Sequence, residues 1–205
     1  MRKTWKTMLW RALQHVKKGF YIDMGAYFSD KDSVTKLFYE KAWCGVNVEP
    51  NSEYHTELTK KQPRDKSFRF VLSNKSGLTE INILNFAESN LSTGLSTLDR
   101  DLATKHVTAS YLMKTDRVES LTLEKKKKKY ITVSQEIHFL KINVEGLEKE
   151  VIESNNWRRY QPWVVLAESI SPTNYEENYL NWKYLLTSVD YHFVYEDQIN
   201  RFYIS

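Results

Sequence analysis

Residues 19–51, GFYIDMGAYFSDKDSVTKLFYEKAWCGVNVEPN, constrain the fold of this chain more than any other stretch. An apolar run, Phe20-Tyr21-Ile22, reaches an acid at Asp23 and a turn at Gly25-Ala26. Val34, Leu37, Phe38 and Ala42 follow at helical spacing. A second apolar run over 45–48 ends on Glu49 and Pro50. Strand, glycine turn, helix and strand, with an acid closing each strand, make a βαβ unit. A unit of about 30 residues is the smallest piece that holds a nucleoside at strand ends.

The rest of the chain continues the alternation. Residues 4–17 place Trp5, Met8, Leu9, Ala12, Leu13 and Val16 at helical spacing ahead of the first strand. Asn51-Ser52 can cap a second helix running to about residue 61. Residues 67–72 and 78–84 alternate as strands around a Lys75-Ser76-Gly77 turn. Residues 85–115, rich in Asn, Ser, Thr and Gly, read as a long loop with a short helix over 101–106, and 118–123 as a short strand. The apolar runs at 137–144 and 163–167 fit central strands covered on both faces, with a helix over 147–154 between them. A helix over 175–188 and two closing strands, 191–195 and 201–204, complete the order. Such alternation gives a doubly wound, mostly parallel α/β sheet, here with an antiparallel edge. With 205 residues and no linker or repeat, the chain reads as one domain, a helix over 1–18 leading a core over 19–205.

Composition excludes several function classes. Hydrophobic content of 41% and charge of 27% are those of a soluble globular protein. A net charge of +4, with lysines not arranged along aromatic grooves, makes no case for nucleic acid. The five lysines of 125–129 read first as a solvated face, and secondarily as a patch for an anionic partner. Cys44 is the one cysteine, so no internal disulfide or thiol metal cluster forms. Its place between Trp43 and Gly45 reads as a buried small hydrophobe. Aromatics at 14% suit stacked ligands and thick core packing equally. No run approaches the ~20 apolar residues of a membrane span, and the N-terminal apolar stretch is too short for a signal peptide. The expected setting is reduced and cytoplasmic.

Four polar strand ends fall in the crevice of such a sheet: Asp23, Glu49, Asn143 with Glu145, and Glu168. A carboxylate at Glu49 can accept both hydroxyls of a ribose, or it can simply cap the turn. The first turn reads Asp-Met-Gly-Ala-Tyr and lacks the further glycines that let backbone approach a pyrophosphate. That points away from a nicotinamide dinucleotide and toward a nucleoside without phosphates, of which S-adenosyl-L-methionine is the common one.

These segments resemble the FkbM family of S-adenosylmethionine-dependent methyltransferases. The matching stretches are LWRAL (9–13), GFYIDMGA (19–26), DSVTKLFYEKAWCGVNVEPN (32–51) and PRD (63–65). TGLSTLD (93–99), HFLKINVEGLEKEVI (138–152), RYQPWVVLAES (159–169) and NRFYIS (200–205) follow in the family's order. The resemblance implies a class I methyltransferase fold and methyl transfer to an oxygen, typically of a sugar in a polysaccharide or natural product. It implies a small-molecule or glycan acceptor, and fusion to or cooperation with glycosyltransferases.

Carried onto this chain, the resemblance places Asp23, Gly25 and Ala26 at the methionine part of the donor. Glu49, with Pro50, falls at the ribose, and Ser73-Asn74 beside the adenine. Asn143, Glu145, Glu168 and His106 become the candidates for removing a proton or orienting the acceptor, and residues 93–97 for shaping its pocket. Asn200 and Arg201 either close the site or pin the last strand. No metal ligand set is expected. Two departures stand out. The family's usual KIDVEG here reads KINVEG, so Asn143 keeps an acceptor but loses a charge. The usual DGLNR turn reads Asp197-Gln198-Ile199-Asn200-Arg201. They admit a second expectation, a methyltransferase-like binding module that has lost turnover. The family's acidic lead-in is also absent, as in a minimal domain or one cut from a longer protein.

Overall fold

A computed structural model describes residues 5–27, 33–72, 76–86, 88, 92–98, 100–107, 111–121, 131–132, 134–171 and 176–205. The element order is α1 (Trp5–Leu13), β1 (Phe20–Met24), α2 (Thr35–Glu40), β2 (Cys44–Val48), α3 (Ser52–Lys61), β3 (Lys66–Phe68) and β4 (Val71–Leu72). Then come β5 (Gly77–Phe86), β6 (Ser92–Thr97), α4 (Arg100–His106), β7 (Tyr111–Leu121), β8 (Phe139–Ile142), α5 (Glu148–Glu153) and β9 (Val164–Glu168). A 3-10 turn (Tyr179–Asn181), α6 (Lys183–Thr187), β10 (His192–Glu196) and β11 (Asn200–Ile204) complete it.

The main sheet has seven strands in the order β10-β11-β9-β8-β1-β2-β3. The chain steps outward from β1 to β3 and then restarts at β8 beside β1, so the carboxyl ends of β1 and β8 form a switch point. β11 runs antiparallel to both neighbours, β9 and β10, so the expected antiparallel element lies one strand in from the edge.

Period-two alternation splits the core between the two faces. Ile22, Met24, Leu140, Ile142 and Val165 pack with Val151, Ile152 and Trp182 on one side. Tyr21, Phe139 and Leu166 pack with Leu9, Leu13, Phe38 and Trp43 on the other, so α1 covers the face opposite α5. The Asn51 side chain accepts from Glu53 N at 2.9 Å and caps α3. Lys60 and Lys61 in its last turn complement the helix dipole.

A second sheet, β4-β7-β5-β6, departs from the expectation of a loop over 85–115. β6 pairs antiparallel with β5 across a bulge between Ile83 and Asn85, and β7 pairs along the whole of β5. Ser, Thr and Gly in β6 and a solvated face on β7 hide the alternation that usually marks a strand. The single strand expected over 67–72 divides between the sheets, β3 closing the first and β4 joining the second. The helix expected over 175–188 shortens to the 3-10 turn and α6. Cys44 is exposed, not buried, because it opens β2 at the surface. The lysines of 125–129 lie outside the described residues.

Candidate functional site

A cavity of ≈ 470 Å³ opens at the carboxyl ends of β1, β2, β8 and β9. Gly25 makes the β1 corner. Its φ of +75° is a left-handed conformation, and a Cβ there would lie 1.7 Å from Asn143 O. Only glycine lets the ends of β1 and β8 approach this closely. The N–H groups of Gly25 and Ala26 both donate to Val48 O, at 3.0 and 3.1 Å, tying the corner to β2.

Glu49 stands on the cavity wall just past β2, with 5% of its surface exposed. Its Oε2 accepts from Tyr27 N at 2.8 Å and its Oε1 from Asn51 N at 2.8 Å. Each oxygen keeps lone-pair capacity for a ligand hydroxyl. Burial pushes its pKa up to about 7, against the lowering effect of those two backbone bonds. The Tyr27 ring packs edge-on against Tyr54, centroids 4.9 Å apart, and holds the loop over the acid.

The opposite wall carries the other acids. Asn143 N donates to Met24 O at 3.0 Å, and its Oδ1 is buried with no partner among the described residues. Glu145 and Gly146 follow with positive φ angles of 53° and 97°, which turn the chain sharply ahead of α5. Glu145 rises to about 7, first through burial and then through the charge of Glu148. Glu168 closes β9, is 8% exposed, and rises to about 9 through burial and then the charges of Glu145 and Glu148. Asn200 is its register partner on β11 and also lines the cavity. The second sheet supplies an apolar cover through Val71, Leu72 and Ile81, with Ser96 beside them.

A family model described as the methyltransferase FkbM domain matches residues 23–196. The chain belongs to the FkbM methyltransferase family. This membership and the strand order together give the class I methyltransferase fold. Comparison with curated proteins returns no match. Among solved structures, precorrin-6y C5,15-methyltransferase from Geobacter metallireducens GS-15 is similar at 10% identity and a TM-score of 0.44. That similarity covers 97% of this chain and 84% of that one.

In this FkbM chain the cavity brings together Gly25, Ala26, Glu49, Pro50, Asn143, Glu145 and Glu168 of the residues expected from sequence. Asp23 sits elsewhere. It is wholly buried behind the wall, with Oδ1 2.9 Å from Lys141 Nζ and Oδ2 accepting from Thr35 Oγ1 at 3.1 Å. Both of its oxygens are taken up by these partners, and it does not line the cavity. Ser73 and Asn74 lie outside the described residues. His106 ends α4, and its side chain is also outside them. Arg201 pins the strand pair, lying 2.6 Å from Glu196 and 3.7 Å from the Tyr179 ring centre, while Asn200 faces the cavity. Among the described residues no cluster of three or more acids, histidines or cysteines could hold a metal.

Sequence reasoning passed over Lys141 and Tyr27. Lys141 Nζ, 2.7 Å from Gly25 O as well as bonded to Asp23, ties the β1 corner to β8. The available signal was a lone lysine inside the apolar run Phe139-Leu140-Lys141-Ile142, since a charge in a central strand requires a buried partner. Tyr27 carried no local signal, because what places it is a backbone bond to Glu49.

Proposed function

We propose that this protein transfers the methyl group of S-adenosyl-L-methionine to a hydroxyl oxygen of a sugar, free or within a polysaccharide precursor. The observation that carries the reading is Glu49: a nearly buried carboxylate at a strand end, oriented by two backbone N–H groups on a nucleoside-sized cavity. A donor with two adjacent ribose hydroxyls suits its remaining lone pairs, and the apolar walls at Leu72 and Ile81 suit a purine ring. The residues present therefore fit the donor that the family implies. When bound, it supplies an electrophilic carbon on sulfur, which the acceptor oxygen attacks in line.

The protein's own work is alignment and proton removal. A carboxylate of the cavity wall would take the hydroxyl proton as the acceptor oxygen receives the methyl group. Glu145, held near neutral pH by burial, has the affinity that this step requires. Glu168, held higher, keeps its own proton through neutral pH and can donate a hydrogen bond to the acceptor. We place the protein in the cytoplasm, alongside a glycosyltransferase that builds the acceptor.

Calorimetry with S-adenosylmethionine tests the donor assignment. Glu49→Ala is expected to weaken binding at least tenfold, and absence of binding to the intact chain overturns the reading. Mass spectrometry of a sugar panel incubated with protein and donor then identifies the methylated product.

A further inference from the structure

Glu148 takes no part in the reading above, yet this acid is 1% exposed. Its Oε1 accepts from Val144 N at 3.1 Å and from Gly146 N at 3.2 Å. Those two amides flank Glu145, so one oxygen grips the chain on both sides of the acid on the cavity wall. Glu145 and Gly146 both have positive φ. A non-glycine residue in that region persists only where its surroundings hold it. Glu148 opens α5, where an acid commonly serves the helix itself. These two bonds, however, go to amides that precede the helix.

The other oxygen continues the chain of contacts. Glu148 Oε2 accepts from Asn178 Nδ2 at 3.4 Å, and the same Nδ2 donates to Ile170 O at 3.2 Å. Asn178 N donates to Ser169 O at 2.9 Å, and Ser169 directly follows Glu168. A continuous bracket therefore runs from the turn carrying Glu145, through Glu148 and Asn178, to the segment behind Glu168.

We propose that Glu148 and Asn178 are positioning residues that fix the separation and orientation of Glu145 and Glu168 on their shared wall of the cavity. The inference rests on the assignment of those two carboxyls to the acceptor hydroxyl. Among the described residues, the titratable groups facing Glu145 are Glu148 on α5, Lys141 on β8, Glu49 past β2 and Glu168 at the end of β9. Of these, Glu148 and Glu49 raise its pKa and Lys141 lowers it.

Steady-state kinetics of the full chain over a pH series, with Glu148→Gln, Glu148→Ala and Asn178→Ala, tests the bracket. Gln keeps an oxygen for Val144 and Gly146 but removes the charge. It should hold kcat within about tenfold while moving the acid limb of the profile to lower pH. Ala releases the turn and should lower kcat on the order of 100-fold, with the KM for donor within about twofold. Asn178→Ala should show the same pattern at about a tenfold loss, and it carries the test with Gln if Glu148→Ala does not fold. Wild-type kcat in the Ala variants overturns the inference, as do equal losses in Gln and Ala with an unmoved pH profile. If the wild type turns over no sugar, the assigned function fails and the bracket is read separately by NMR. The amide proton shifts of Val144 and Gly146 and the carboxyl titration of Glu145 must then change in Asn178→Ala, and unchanged signals overturn it.

Discussion

Asp23 and Lys141 are register partners on adjacent parallel strands, and their side chains meet 2.9 Å apart at the cavity wall, which Lys141 lines and Asp23 does not. The carboxylate is fully buried and the ammonium nearly so. Each therefore depends on the other, and Lys141 also holds Gly25 O at the β1 corner.

Lys141→Met should leave an uncompensated buried carboxylate and cost about 3–5 kcal/mol of unfolding free energy. Asp23→Asn in the same chain should return much of that loss, since an amide can still accept from Thr35. Urea denaturation of the two single variants and the double variant measures the coupling. Additive losses would show that the pair contributes nothing as a pair.

The stability of the ligand-free protein should fall as pH rises. Glu49, Glu145 and Glu168 have folded-state pKa values of about 7, about 7 and about 9, all raised from 4.5 chiefly by burial. A raised carboxyl holds its proton more tightly folded than unfolded. Between the unfolded value and those folded values the native state binds more protons, so unfolding free energy declines with pH. Thermal melts from about pH 5 to about pH 8 should show Tm falling, and Glu168→Gln should flatten the decline at the alkaline end. A flat profile in the wild type would mean that these acids are hydrated in solution.

The β1–β2 side of this cavity was legible because its signals are local. The run from Phe20 to Glu49 contains two strands, a glycine corner and a helix whose periodicities are complete within a few turns. Glu145 and Glu168 were legible for the same reason, as acids ending apolar strands. What was not legible depends on contacts between distant segments. Asp23 and Lys141 are 118 residues apart, and only the β1–β8 register shows that the acid is spent on an ion pair. The second sheet was missed because β6 is a short polar strand that gains its order from pairing with β5. Glu148 reads as an ordinary helix-surface acid until the turn ahead of it is seen folding back.

Gly25 and Gly146 both have positive φ but should respond differently to alanine. At Gly25 the added Cβ meets Asn143 O at 1.7 Å, so the ends of β1 and β8 must separate. At Gly146 no heavy atom lies within 4 Å, so only backbone strain opposes the change. Gly146→Ala should cost about 1 kcal/mol and Gly25→Ala several-fold more, with loss of donor binding. Differential scanning fluorimetry of the two variants, with and without S-adenosylmethionine, ranks them. Equal shifts would show that the close approach at Gly25 relaxes freely.

Asn143→Asp restores the residue usual in FkbM proteins and tests whether this chain has traded activity for binding. Asn143 lines the same cavity as Glu145 and Glu168. A fourth carboxylate there, beside Glu49, Glu145 and Glu168, raises the pKa of its neighbours, because like charges in a buried site cannot all ionise. The acid limb of the rate profile should move to higher pH, and the rate near neutral pH should fall several-fold and recover on the alkaline side. An amide at this position is then a fitted replacement that leaves Glu145 able to take a proton at neutral pH. The opposite result, an inert wild type and an active Asn143→Asp, would assign the natural chain to binding without turnover. Single-turnover transfer of a labelled methyl group, measured for both proteins across the pH range, separates the two.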